Sequence, residues 1–177
     1  MPGTKDLTLL FSVRLLSAMG VTLILPVMPG MARAFGLTVA EAGLVVVCFT
    51  LAEATMTPIA GILSDRFGRK AILLPSLFVF AAGGILCLFA ETWREVLACR
   101  IIQGIGAGPL GVLYTILAAD MVDEAHLPRI MGRLTAVSSL GTIVYPIVGG
   151  LLGEWSWRAP FLVFTLALPT ALLSLSV

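Results

Sequence analysis

The sequence predicts an all-α membrane protein of six transmembrane helices, and three observations carry that prediction. Hydrophobic residues fill 59% of the 177 positions and charged residues only 12%, against about 45–50% and about 25% in soluble domains. Mean hydropathy is +1.06. The apolar residues also gather into six runs of about 19–25 positions, each long enough to cross about 30 Å of hydrocarbon. A chain with so few charges cannot clothe its surface for water, so a bilayer is its solvent.

The runs follow in order, each bounded by charge or turn residues. The first covers about 7–31, the second 40–63 and the third 71–90. The fourth covers 96–119, the fifth 130–153 and the sixth 159–177. Together they make one bundle over 1–177. Their length, and the lack of period-two alternation, favours helices over barrel strands. Arg14 interrupts the first run and no A-x-A-type site follows it, so it is expected to stay as a helix, not a cleaved signal. Pro26, Pro58, Pro75, Pro109, Pro146 and Pro169 lie inside the runs. Membrane helices tolerate such prolines where neighbours satisfy the freed carbonyls, so kinks are expected there.

Basic residues set the orientation. With the N-terminus inside, the cytoplasmic segments hold Lys5, Arg66, Arg69, Lys70, Arg129 and Arg133, while the outer loops hold Arg33, Arg94 and Arg158. The positive-inside rule then places both termini in the cytoplasm. A net charge of +1 shows no nucleic-acid footprint. Cys48, Cys87 and Cys99 fall in apolar runs without CxxC spacing, so no disulfide, metal or cofactor is implied.

Ionisable residues within the runs are the sharpest functional signal, each costing roughly 2.5–3.5 kcal/mol at a helix centre. Glu53 is deepest, about 18–20 Å of helix from either end of its run, too far to snorkel. Thr50, Glu53 and Thr57 share one helix face. Hydrocarbon favours the neutral carboxyl unless a cation pairs with it, which suits a group that loads and releases protons. Arg100 and Gln103 open the fourth run, with Ala107 and Tyr114 on the same face. Glu53 or a substrate carboxylate is the natural partner for Arg100. Arg14, with Ser17 beside it, lies about 10 Å from the inner end and can snorkel. His126, beside Asp123 and Glu124, is read as a solvated loop residue.

The second-to-third connection holds Gly61, Leu63, Asp65, Arg66, Gly68, Arg69 and Lys70. Its glycines permit a tight turn and close helix approach, and its basic residues suit cytoplasmic headgroups. It resembles the signature loop of the major facilitator superfamily, G-x-L-x-D-R-x-G-R-K. Arg100-Ile-Ile-Gln-Gly-Ile-Gly-Ala107 resembles that family's fourth-helix motif. Gly20 with Pro26-Val-Met-Pro29 resembles the first-helix motif of its drug:proton antiporter branch. Gly141, Pro146, Gly149 and Gly150 resemble the branch's fifth-helix motif, except that Tyr145 replaces a Gly and should hinder the closest helix approach.

This resemblance implies the N-terminal half of a twelve-helix fold: six helices in two inverted three-helix repeats. It also implies a half-size secondary transporter of small, lipophilic solutes, coupled to protons through Glu53 and gated at the Asp65 loop. One bundle has no second wall for a central cavity, so a parallel homodimer working by alternating access is expected. Asp65 and the Gly68–Lys70 turn would dock near Arg129–Arg133 of the other copy. The alternative is a non-transporting membrane subunit, or one half of a twelve-helix transporter. No G-x-x-x-x-G-K-[ST], H-E-x-x-H or G-x-S-x-G sequence occurs, which argues against direct ATP drive and against an enzyme.

Overall fold

The computed structural model describes residues 4–175. The last two positions of the expected sixth segment therefore lie outside the described residues. The first segment forms α1 (Thr4–Thr22), a 3-10 turn (Leu25–Val27) and α2 (Met28–Phe35). Pro26 and Pro29 lack an N–H, so the helical ladder cannot run unbroken through this stretch. Gly36 closes α2 with a φ of 65°, a left-handed cap that glycine adopts without strain.

A short α3 (Val39–Ala42) starts on a capping box between Thr38 and Glu41 and leads through Gly43 into α4 (Leu44–Phe67). Gly68, with a φ of 91°, is the single residue between α4 and α5 (Arg69–Phe89). So abrupt a reversal needs the positive φ that a side chain would strain. A second capping box, Thr92 with Glu95, opens α6 (Trp93–Met121), and Pro128 lies in the first turn of α7 (Leu127–Trp155). The sixth segment forms a 3-10 stretch (Ala159–Leu166) and then α8 (Ala167–Leu175). Pro58, Pro75, Pro109 and Pro146 fall inside α4, α5, α6 and α7.

Among the described residues, five apolar helical stretches are long enough to cross a bilayer: Lys5–Phe35, Val39–Phe67, Arg69–Phe89, Trp93–Met121 and Leu127–Trp155. The sixth, Ala159–Leu175, is shorter.

Small residues let α6 pack centrally. A methyl group on Gly108 would lie 2.7 Å from the Glu53 carbonyl oxygen, and one on Gly83 would lie 2.6 Å from the Gln103 backbone. Gly104 and Gly106 meet the backbones of Phe49 and Phe80 in the same way. In lipid, where apolar burial gives no advantage, such close backbone approach is a main source of helix association.

Coverage is uneven. In α4 and α7 only 17% of the most apolar stretch is buried, against 44–56% in the other three spans. Two helices are thus left largely open.

Tyr145 does not hold α7 away from α1. Its ring folds over the space left by Gly141, and its hydroxyl donates to the Leu15 carbonyl at 3.1 Å. One turn on, Gly149 lies directly against the Leu23 backbone. The expected obstruction is therefore absent, because the missing side chain of Gly141 houses the ring.

Candidate functional site

A polar cavity of about 350 Å³ lies open between α1, α4 and α6, lined by Arg14, Ser17, Thr50, Glu53, Ala54, Thr57 and Gly111. α1 supplies the cation, α4 the acid and threonines, and α6 the glycine. The α4 spacing anticipated from sequence produces this lining directly. Thr50 donates to the Val46 carbonyl at 2.9 Å, and Thr57 donates to the Glu53 carbonyl at 2.8 Å. Their hydroxyl protons are thus used within the helix, which leaves oxygen lone pairs to face a guest.

The Glu53 carboxyl makes no hydrogen bond or ion pair with another described residue; the ion pairs found among the described residues join Arg69 to Asp65 and Asp120. Gly111 borders it: a methyl group there would meet a Glu53 carboxyl oxygen at an ordinary contact distance of 3.9 Å. Arg14 stacks on Tyr114, with its guanidinium carbon 4.5 Å from the ring centre, and donates to Ser17 at a long 3.4 Å. Its Nε is buried without a partner. Tyr114 therefore serves the site as the surface under Arg14.

Arg100 and Gln103 do not line this cavity. Both are completely buried. Arg100 donates from Nε to the Val45 carbonyl at 3.2 Å, from Nη1 to Gln103 Oε1 at 2.6 Å and from Nη2 to the Gly20 carbonyl at 2.7 Å. Phe49 lies beneath it, 4.2 Å from ring centre to guanidinium carbon. The partner expected for Arg100, Glu53 or a solute carboxylate, is thus replaced by neutral oxygens from α1, α4 and α6. The carbonyl of Gly20 is available because α1 ends at Thr22, leaving its last carbonyls without helical donors. The Pro26 break, two turns away in sequence, thereby prepares a socket for Arg100.

The turn residues gather at the end of the bundle. Arg69 bridges Asp65 at 2.5 Å and Asp120 at 2.9 Å, and also donates to the Ser64 carbonyl at 3.0 Å. The turn is thus tied within its own chain to the end of α6, and not left to a partner alone. Asp120 was not singled out from sequence; the available signal was an acid at the end of the fourth apolar run, facing a basic turn. Gly61, Gly68, Arg66 and Lys70 make no comparable bond; Arg66 and Lys70 are exposed. Gly111 was also missed, although it falls between Ala107 and Tyr114 at helical spacing. His126 is exposed at the start of α7, and no group of three or more metal-ligating side chains occurs among the described residues.

Comparison with known proteins follows from this geometry. A family model described as Major Facilitator Superfamily matches residues 10–177. The bacillibactin exporter of Bacillus subtilis (strain 168) is 33% identical over 164 residues, covering 89% of this chain and 41% of that protein. The quinolone resistance protein NorA of Staphylococcus aureus is 29% identical over 157 residues, covering 89% of this chain and 40% of that protein. The chain thus spans about 40% of the length of these curated relatives. The crystal structure of a D-xylose–proton symporter superposes with a TM-score of 0.86 at 18% identity, over 98% of this chain and 48% of that one. The human organic anion transporter MFSD10 (TETRAN) gives 0.80 at 23%, over 99% and 47%. The fold is that of half a transporter of this kind, and the proteins matched are transporters, not enzymes.

Proposed function

The chain belongs to the major facilitator superfamily, and from that premise we propose that it moves small, lipophilic solutes across a membrane by proton-coupled alternating access. The observation that carries this reading is the cavity in which an unpaired carboxyl, Glu53, shares one polar space with Arg14. A carboxyl held among hydrocarbon without a partner is costly. Exchange of a proton with water in the cavity gives it a use that a purely structural acid lacks. The basic turn at Arg66, Arg69 and Lys70 faces the cytoplasm, with both termini on that side.

A single six-helix bundle has only one wall of a central cavity. The open faces of α4 and α7 support a second copy as the other wall, with α4 of each packed on α7 of its partner around a two-fold axis. A second reading takes that wall from a further six helices of the same polypeptide; the 41% coverage of the bacillibactin exporter favours it.

Two experiments test these readings. In proteoliposomes carrying a pH-sensitive dye, addition of a transported solute should drive proton movement with the wild type and none with Glu53→Gln. Equal proton movement by both would refute proton coupling at Glu53. For the second copy, Ala54→Cys and Thr142→Cys are combined in a background of Cys48→Ala, Cys87→Ala and Cys99→Ala. An oxidised dimer in membranes is expected, and its absence would refute the two-copy arrangement.

A further inference from the structure

Three arginines lie inside the bundle or at its rim, and their surroundings differ. Arg100 has a protein acceptor for each guanidinium nitrogen and a ring beneath it. Arg158 donates to the Ala90 carbonyl at 2.6 Å and stacks on Trp157, so it closes the end of α5, although its Nε, like that of Arg14, is buried without an acceptor. Arg14 has only the 3.4 Å contact to Ser17, a buried Nε without an acceptor, and Tyr114 beneath it. No carboxylate lies within ion-pair distance of it among the described residues, although Glu53 lines the same cavity.

A guanidinium is a planar fork of N–H donors matched to the two oxygens of a carboxylate. Arg100 shows that this bundle can satisfy such a fork completely. At Arg14 it does not: the fork has only the long contact to Ser17, and the residue lines the cavity. We propose that Arg14 is a substrate-recognition residue, and that the preferred solute carries a carboxylate or similarly shaped oxyanion on an apolar body. This rests on the reading of the cavity as the transport site.

The anionic head takes the fork of Arg14, with Tyr114 fixing the plane of the guanidinium from the other side. Hydroxyl oxygens of Ser17, Thr50 and Thr57 line the space beyond. Two other charged groups bear on such a guest: Glu53 in the same cavity, and Arg100 buried behind it. A negative Glu53 repels the anion and a neutral one does not, so removing its charge strengthens binding.

The test uses three probes of one shape, with the full chain held in lipid nanodiscs and binding read by equilibrium dialysis. These are 2-naphthoate, 2-naphthamide and 2-naphthylmethylammonium. The wild type should bind naphthoate at least about tenfold more tightly than the amide or the ammonium. Arg14→Gln should erase that preference, Arg14→Lys should keep a fraction of it, and Glu53→Gln should leave it intact or increase it.

The wild-type comparison needs no variant, so a misfolded Arg14→Gln would not shelter the proposal. Equal binding of all three probes by the wild type overturns it. Preference for the ammonium, lost in Glu53→Gln, also overturns it and makes the acid the recognition group. Naphthoate preference without any change in Arg14→Gln places the anion elsewhere and overturns it too. The proton-movement assay reads separately: its failure with naphthoate preference intact removes the coupling role of Glu53 but leaves Arg14 as an anion site.

Discussion

Arg100 and Arg14 are the same residue type, both placed among hydrocarbon by their helices, yet the structure treats them in opposite ways. Arg100 is sealed: fully buried, bonded to two backbone carbonyls and an amide, and covered by Phe49. Arg14 is open: half-buried, weakly bonded, and on the wall of a polar cavity opposite an unpaired acid. Sealing turns a charge into a clamp that holds three helices together. Leaving it open keeps the charge available to a visitor. The contrast teaches that a charge in lipid declares its role through how completely its donors are satisfied, more than through its depth.

The largest effect should come from opening the clamp. Arg100→Ala leaves the Gly20 and Val45 carbonyls and the Gln103 side chain without their donor, and a loss of about 1–3 kcal/mol for each buried group left unsatisfied is expected. Thermal unfolding in detergent would register it as loss of folded protein, whereas Arg14→Ala should shift stability by less than about 1 kcal/mol. If the two variants melt alike, the distinction between sealed and open fails. Overpacking the helix junction comes next. Gly108→Ala drives a methyl group to within 2.7 Å of the Glu53 carbonyl and should cost about 1–3 kcal/mol in the same melt.

Smaller effects sharpen the picture at its edges. Tyr145→Phe removes one hydrogen bond between α7 and α1, for an expected loss of about 0.5–1.5 kcal/mol with no change in probe binding at Arg14. Arg69→Gln breaks both ion pairs of the turn, but these groups are partly exposed, so the melt should move least of all the variants named here.

Much of this was legible in the sequence. Run length and charge exclusion gave the helices, because hydrocarbon admits few ways to satisfy a backbone. The Thr50–Glu53–Thr57 face followed from helical spacing alone, and it lines the cavity. The roles of the arginines did not follow. Whether a guanidinium is sealed depends on carbonyls contributed by distant segments, here Gly20 and Val45, which lie 80 and 55 residues from Arg100. No periodicity within the fourth run reports that. Tyr145 taught the same lesson in reverse: its bulk looked obstructive until Gly141, one turn away, was seen to make room for it.

Solvent access at two positions tests the account most directly. In the background lacking native cysteines, Glu53→Cys and Gln103→Cys are exposed in membranes to a water-soluble maleimide that cannot cross lipid. Rapid labelling is expected at position 53 and none at position 103, although both lie inside apolar membrane-spanning helices. A silent position 53, or equal labelling of the two, would contradict it.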